Sequence, residues 1–222
     1  FRLAANGEGG IVSTDAGTIR TAFDGVQRTL GAEFMEWEGW LWTTDFGEAV
    51  AEHNAVRQDV GVWDESPLRK WDFSGPDALV AADRIFTNDM LGLEIGQVRY
   101  APFCDADGKM VGDGTVFKFT DSSAWVITAL DSDLEHMREV AAGLNVSIEP
   151  ITEKLPHVQL QGPRSRELLA GLVDEDVESL PYFRFLPHQV HVGRVPVWAS
   201  RTGYSGELGY ELFTEPDYAE EL

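Results

Sequence analysis

The feature that most constrains this fold is a turn that occurs twice, each time between a predicted strand and a predicted helix. A Gly-Pro pair at positions 75–76 follows the strand predicted over Arg69–Ser74, and a second pair at 162–163 follows the strand predicted over His157–Gln161. Glycine tolerates backbone angles that end a strand, and proline is preorganised for the first turn of a helix. The recurrence therefore predicts two related units rather than a short-period repeat.

The predicted strands mostly lie between hairpin turns and single helices, which favours an α+β fold with antiparallel sheets over a doubly wound parallel sheet. The chain starts at Phe1 rather than Met and ends at Leu222, where a helix is beginning after Pro216. We therefore expect a piece of a longer protein. The predicted divisions are an N-terminal arm and helix over 1–32, a first α+β unit over 33–147 and a second, truncated unit over 148–222.

Composition excludes several classes of function. The 17 Lys and Arg residues against 38 Asp and Glu residues leave a net charge of −21, which repels phosphate backbones and anionic lipid, so we predict no nucleic-acid or membrane partner. Cys104 is the one cysteine, which excludes a disulfide framework, and the five histidines lack metal-ligand spacing, so no metal is predicted. A single cysteine and the absence of an apolar run of ~20 residues fit a cytoplasmic protein.

Asp113 is the first candidate for chemistry. It lies between two glycines in an otherwise apolar strand predicted over Met110–Phe119. A desolvated carboxyl there would have a raised pKa and could act as an acid or base, or anchor a cation. The alternative is a solvated aspartate in a glycine-rich kink, and the residues alone favour that alternative.

A second candidate is the stretch from Arg201 to Glu211, in which glycines recur at every third position, at 203, 206 and 209. Glycine lets a backbone pass close to a flat ligand or supplies positive φ in turns. The carboxylate of Glu211 could pair with an amidine-like N–H/NH2 edge. A solvent-facing carboxylate is the alternative, because Glu211 alternates with apolar neighbours on the predicted strand.

The aromatic-rich stretch over Glu33–Phe46 contains Trp40 and Trp42, with acids between the aromatic residues. Tryptophan faces attract quaternary ammonium or sulfonium cations. These two residues are therefore candidate contacts for a cationic substrate. A segment that covers a core face is the simpler interpretation of so many aromatic residues.

Several motifs have spacings typical of one family. They are 52–57 (Glu-His-Asn-Ala-Val-Arg), 61–64 (Gly-Val-Trp-Asp), 75–78 (Gly-Pro-Asp-Ala), 87–89 (Thr-Asn-Asp), 161–163 (Gln-Gly-Pro) and 201–211 (Arg-Thr-Gly-Tyr-Ser-Gly-Glu-Leu-Gly-Tyr-Glu). With them the chain from about residue 33 resembles the glycine cleavage T-protein (aminomethyltransferase) and its folate-dependent demethylase relatives, whose pattern at the last motif is R-T-G-Y-T-G-E-x-G-x-E. The resemblance implies the folate-binding fold of that family, without its C-terminal domain.

The same resemblance implies tetrahydrofolate as the acceptor of a one-carbon unit. It implies that Asp113 is the catalytic or substrate-positioning aspartate, that Tyr100 and Tyr204 line the folate cavity, and that Glu211 binds the pteridine edge. The implied reaction is that of a demethylase or aminomethyltransferase, which takes a methyl or methylene unit from a small-molecule N-, O- or S-methyl-type donor. A carrier protein would be a partner in the aminomethyltransferase case.

The chain departs from the T-protein pattern at several positions. Gly112 stands where the family often has the first of two aspartates, and the T-protein's Phe-Asp-Val-Ser-His becomes Trp-Asp-Glu-Ser-Pro over 63–67. The stretch over Trp125–Leu134 is similar to the demethylase branch, which slightly favours a demethylase. The alternatives are a non-catalytic folate-binding scaffold and an interaction domain without a small ligand.

Overall fold

A computed structural model describes residues 17–222 of the protein. Residues 1–16, half of the N-terminal arm and helix predicted over 1–32, lie outside the described residues, and the predicted helix is Asp24–Thr29. The helices are Asp24–Thr29 (α1), Ala49–Gln58 (α2), Ala78–Ile85 (α3), Asp133–Val140 (α4) and Ser165–Ala170 (α5). The strands are Glu33–Trp37 (β1), Trp40–Asp45 (β2), Gly61–Asp64 (β3), Arg69–Ser74 (β4), Val98–Cys104 (β5), Met110–Thr120 (β6), Ser123–Thr128 (β7), Ser147–Pro150 (β8), His157–Gln161 (β9), Val190–Val192 (β10), Val195–Ser200 (β11) and Gly209–Phe213 (β12).

Ten of these strands form two sheets with the same plan. The first sheet has the order β5-β6-β7-β4-β8, and the second sheet has the order β10-β11-β12-β9-β3. Each sheet consists of a three-strand run, then the strand before a Gly-Pro turn, then one edge strand, and every pair is antiparallel. The predicted α+β class with two related antiparallel units is confirmed.

The two Gly-Pro turns are the same backbone structure. Gly75 and Gly162 both have φ +130°. The amide two residues after each glycine donates to the carbonyl of Asn145 or of Asp59, at 3.2 Å and 3.0 Å. A Cβ would lie 2.6 Å from the Asn145 oxygen at Gly75 and 2.4 Å from the Asp59 oxygen at Gly162. Both turns therefore require glycine, for the backbone angle and for the close approach.

The edge strands are exchanged between the two halves of the chain. β3 leads into β4 but pairs with β9, and β8 leads toward β9 but pairs with β4. Strand pairing therefore crosses the predicted division between residues 147 and 148: β3 lies in the second sheet, and β8 lies in the first. The segments that dock on the two Gly-Pro turns, at Asn145 and Asp59, come immediately before β8 and β3. The contact at Asn145 thus places β8 beside β4 in the first sheet, and the contact at Asp59 places β3 beside β9 in the second.

The molecule is layered as helices, sheet, sheet and helices. The outer face of the first sheet packs on α3 and α4 through a core that includes Phe73, Phe103 and Met137, and the outer face of the second sheet packs on α5 through Leu160 and Leu169. The inner faces pack on each other through a third cluster: Val98, Phe117, Ile127, Leu155, Phe185 and Phe213. None of the helices between residues 17 and 222 is long and apolar enough to cross a lipid bilayer.

Candidate functional site

The inner face of the second sheet carries buried polar side chains. Along β9, the side chains of His157, Gln159 and Gln161 are at most 1% exposed, and they alternate with Val158 and Leu160, which belong to the outer core. Since side chains alternate between the faces of a strand, the polar set points toward the first sheet. Buried polar groups need partners. The polar alternation in β9 is the signal of this site that the sequence analysis missed.

Gln161 explains two of the three glycines between 201 and 211. Its amide nitrogen donates to the carbonyls of Thr202 and Tyr210, both at 3.1 Å. A Cβ at Gly203 or at Gly209 would lie within 2.4 Å of the Gln161 amide group. These glycines therefore leave room for a buried glutamine rather than for a flat ligand, which corrects the first interpretation of the motif.

The third glycine, Gly206, has φ +78° and forms a turn, as expected for positive φ. The turn is fixed from within, because the Ser205 hydroxyl donates to Gln161 Oε1 at 2.7 Å. Arg57 fixes it from outside by donating to the Ser205 carbonyl at 2.8 Å. Hydrogen bonds on both sides thus hold the loop between β11 and β12 in a defined conformation.

Glu211 lies on β12 directly opposite Gln159. It is 8% exposed, so the solvent-facing alternative is wrong. Gln159 Nε2 donates to Glu211 Oε1 at 3.3 Å, and the Thr202 hydroxyl donates to Oε2. A carboxylate has about four acceptor positions, so this one retains capacity for further donors.

Asp113 lies on β6 in regular register with Pro102 on β5. It is half-buried, and the Tyr100 hydroxyl donates to Asp113 Oδ2 at 2.7 Å. This hydrogen bond, together with burial and the neighbouring Tyr204, raises the pKa of Tyr100 to about 12. The Tyr100 hydroxyl therefore stays protonated and remains a donor to Asp113 at neutral pH.

Tyr204 belongs to the Glu211 group and affects the pKa of Tyr100 in the other group. Its backbone N–H donates to Gln159 Oε1 at 3.0 Å, and it lies near enough to influence the titration of Tyr100. The rings of Tyr100 and Tyr204 are 53% and 69% exposed. Hydrogen bonds thus link Asp113 to Tyr100 on the first sheet, and Tyr204 through Gln159 to Glu211 on the second, while Tyr204 contributes to the raised pKa of Tyr100.

A buried charged group lies next to Glu211. Lys70, at the start of β4, is fully buried, and its ammonium donates to the carbonyls of Ser66 and Leu68, both at 3.0 Å. Burial lowers the pKa of Lys70 to about 7, against the opposite effect of the carboxylates of Asp64, Glu211 and Glu65. The ammonium is therefore partly charged at neutral pH and fully charged in acid.

Two more titratable groups share this interior. Burial raises the pKa of Glu65 to about 7, although the indole N–H of Trp63 donates to Glu65 Oε1 at 2.9 Å. Burial and the charge of Lys70 lower the pKa of His157 to about 4. The His157 ring is therefore neutral at neutral pH, and its Nε2 lies 3.6 Å from Glu211 Oε1.

The aromatic stretch forms the hairpin β1–β2. Trp40 is buried, and the Trp42 ring packs edge-on to Trp37 with centroids 4.9 Å apart. The buried Arg69 guanidinium lies 5.8 Å from the Trp37 ring and 5.7 Å from the Trp40 ring, and donates to the Glu38 carbonyl. A cation of the protein itself therefore lies against this cluster. A substrate contact by Trp40 and Trp42 stays a prediction.

A family model described as the GCVT N-terminal domain matches residues 23–222. The chain belongs to the GCVT family. This confirms the resemblance to the glycine cleavage T-protein on which the four site residues were assigned.

Within the GCVT family, the chain is 36% identical to an aminomethyltransferase of Rubrobacter xylanophilus over 96% of its own length and 57% of that protein's. It is 37% identical to a trimethylamine-oxide aldolase of Ruegeria pomeroyi, over 91% of its own length and 27% of that protein's. It is also similar in fold, with a TM-score of 0.81 and 20% identity, to the glycine cleavage system aminomethyltransferase T of Bartonella henselae, over 91% of this chain and 55% of that one. The chain thus spans little more than half of these relatives, or less.

Proposed function

We propose that the protein containing this chain transfers a one-carbon unit to tetrahydrofolate. Membership of the GCVT family and the aminomethyltransferase relatives support this. The observation that carries the proposal is the pair of hydrogen-bonded groups, Asp113 with Tyr100 and Glu211 with Gln159 and Tyr204, in which Tyr204 contributes to the raised pKa of Tyr100.

The residues present fit tetrahydrofolate. The pteridine ring has an edge of N–H and NH2 donors, and Glu211 is a buried carboxylate with acceptor capacity that its protein donors leave free. Gln159 and Thr202 hold that carboxylate in place, which reduces the entropy lost on binding. Exposed tyrosine rings at 100 and 204 suit the face of a flat heterocycle.

Tetrahydrofolate would supply N5 as the nucleophile that accepts carbon. The role we propose for this chain is positioning, which can lower a barrier by ~7–11 kcal/mol when both reactants are held in line. Tyr100 donates to Asp113 and so fixes the orientation of its carboxylate. The remaining oxygen of Asp113 can accept a proton or attract a positively charged donor.

We propose an N-, O- or S-methyl-type donor, and a demethylase rather than an aminomethyltransferase. The support is the Asp-Ser-Asp segment at 131–133, in the stretch that is similar to the demethylase branch, and Pro67, which stands where the T-protein pattern has histidine. A sulfonium or ammonium donor would leave as a neutral group and would need no general acid. A carrier protein would be required only for aminomethyl transfer.

Asp113→Asn in the full-length protein tests the proposal. We expect turnover to fall by about 10²–10⁴-fold, while calorimetry still detects tetrahydrofolate binding, because Glu211 and both tyrosines remain. Asp107→Asn is the matched control, since Asp107 lies in the exposed β5–β6 turn. Unchanged turnover in Asp113→Asn contradicts the assigned role. Folate binding without turnover in the wild type supports the scaffold alternative, and a 5-methyl or 5,10-methylene product distinguishes the two reactions.

A further inference from the structure

We propose that Lys70 is a positioning residue for Glu211: its ammonium, buried between the sheets, keeps the Glu211 carboxylate in the charged form that binds the pteridine edge. The inference rests on the proposed function, because it concerns the same folate contact. Lys70 is absent from the set of residues that the resemblance implies. The position of Lys70 in the fold is what suggests this role.

The position of Lys70 is fixed independently of any ligand. Its side chain is on the inner face of the first sheet, since its neighbours Arg69 and Trp71 point elsewhere: to the β1–β2 hairpin and to the outer core. Two hydrogen bonds to the carbonyls of Ser66 and Leu68 hold the ammonium. These bonds use two of the three N–H donors of the ammonium. They hold its charge in a fixed place, from which it acts on the surrounding carboxyls.

Charged and titratable groups reach Lys70 from every element packed on it. They are Asp64 at the end of β3, Glu65 in the following turn, Arg69 on β4, His157 on β9 and Glu211 on β12. Contacts connect Lys70 to Glu211: its ammonium donates to the Ser66 carbonyl, the His157 backbone N–H donates to the Ser66 hydroxyl at 3.1 Å, and His157 Nε2 lies 3.6 Å from Glu211 Oε1. Three of these are carboxyls, so the cluster contains more acids than cations. Arg69 is engaged elsewhere, with Asp131 and with the Glu38 carbonyl. Lys70 is therefore the cation that faces the acids.

Glu211 depends on that cation more than Asp64 and Glu65 do. Asp64 accepts from the Gln27 amide and from a backbone N–H, and Glu65 accepts from the Trp63 indole. The hydrogen-bond donors to Glu211 are the neutral groups of Gln159 and Thr202. His157, 3.6 Å away, is neutral because burial and the charge of Lys70 lower its pKa to about 4. A buried carboxylate with neutral donors stays charged most readily beside a fixed cation.

This chain also needs the cation more than the T-protein pattern does. Glu65 replaces the valine of that pattern, which adds a carboxyl beside Glu211. Two close carboxyls disfavour each other's ionisation. Lys70 opposes that effect, so that Glu211 can be the one that carries the charge.

Calorimetric titration of tetrahydrofolate into the full-length protein between pH 5 and 8 tests the proposal. Lys70→Met is expected to weaken binding at least about tenfold at pH 6 and to move the acidic midpoint of binding to higher pH. Lys118→Met is the matched control: Lys118 is also a buried lysine of the first sheet, but its ammonium contacts the Leu93 carbonyl and the exposed Asp121. We expect it to leave the midpoint unchanged.

Lys70→Arg separates charge from packing. It changes the shape of the side chain and keeps the charge, so we expect the wild-type midpoint even where stability falls. This variant also provides the test if Lys70→Met does not fold. Adding Glu65→Gln to Lys70→Met is expected to recover part of the affinity at pH 7, where the wild-type Lys70 is still partly charged, because one of two competing carboxyls is removed; a purely structural role would give no recovery.

The outcomes separate the two proposals. A wild-type protein that releases no heat with tetrahydrofolate overturns the proposed function and this inference with it. Wild-type binding with the same midpoint in Lys70→Met, or with an equal shift in Lys118→Met, overturns the inference about Lys70 and leaves the proposed function standing. A shifted midpoint in Lys70→Arg that matches that of Lys70→Met also overturns it, because charge would then not be the cause.

Discussion

Lys70 and His157 occupy the same place in the two halves of the molecule, since each lies four residues before the last residue of the strand that enters a Gly-Pro turn. Both are fully buried on an inner face. Burial lowers the pKa of each, to about 7 for Lys70 and to about 4 for His157. Carboxyls surround the lysine, whereas the lysine itself disfavours a charge on the histidine. A repeated backbone thus holds one cation at the centre, rather than two.

The same contrast extends along the neighbouring strands. Glu211 faces Gln159 in the second sheet, and the equivalent pair in the first sheet is Trp125 and Asp72. The first pair belongs to the proposed folate site. The second lines a cleft of about 490 Å³, where the Trp125 ring packs edge-on to Trp198 at 5.1 Å. The fold therefore offers two equivalent positions, and this sequence places two polar side chains at one and a carboxyl with a tryptophan at the other.

The largest change expected in the free energy of unfolding comes from substitutions in the two Gly-Pro turns. It tests whether the two halves of the molecule are equivalent. Gly75→Ala and Gly162→Ala should each destabilise the protein by about 4 kcal/mol, from strain of about 1–3 kcal/mol and displacement of a carbonyl of about 1–3 kcal/mol. Urea unfolding measures both. Gly108→Ala is the control, since its φ is +77° but no atom lies within 4 Å of its added Cβ. Tolerance of alanine at one turn and not at the other would break the comparison.

The second-largest change expected in the free energy of unfolding concerns His157, the neutral residue of the pair Lys70 and His157. The pKa of His157 in the folded protein, about 4, lies below its ordinary value of 6.5. The unfolded chain therefore binds more protons between these values, and the wild type loses stability as pH falls from 6.5 to 4. Relative to His157→Leu, that loss should reach about 3 kcal/mol, measured by urea unfolding at pH 7 and pH 4. A constant difference between the two proteins at both pH values would show that His157 is not buried in neutral form.

The smallest change expected in the free energy of unfolding comes from the last residues of β9 and β4, Gln161 and Ser74. Gln161→Leu leaves two buried carbonyls and the Ser205 hydroxyl without their partner, at a cost of about 2 kcal/mol. Ser74→Ala should cost less than about 0.5 kcal/mol, because Ser74 is half-buried and its hydroxyl bonds Asp72. Hydrogen exchange of residues 203–209 should rise in Gln161→Leu alone. Equal losses would mean that the glutamine does not support the loop.

Local patterns were enough to predict most elements and the two turns, since alternation and Gly-Pro pairs act within a few residues. The pairing of β3 with β9 and of β8 with β4 could not be predicted, because partner choice depends on contacts between distant segments. The burial of Glu211 was missed for a related reason. β12 lies inside two packed layers, so its polar and apolar faces are both buried and alternation does not indicate solvent.

The motif over 201–211 drew attention to Glu211, whose role stays a prediction, but gave the wrong reason for two of its glycines. Positions 203 and 209 require glycine because the Gln161 side chain lies against them. Gln161 is about 40 residues earlier in the chain. Lys70, Glu65 and His157 were not singled out as site residues. Their importance depends on burial and on mutual proximity, which appear only when both sheets are in place.

The crossing of β3 and β8 makes each half of the protein responsible for closing the other's sheet. Removal of either half would strip an outer strand from the half that remains and expose a row of unpaired amides and carbonyls. Although the molecule contains separate apolar clusters, neither half has a sheet that is complete without the other. The exchange of β3 and β8 thus couples the folding of the two cores, and the folate surface proposed between them forms only when both halves are folded.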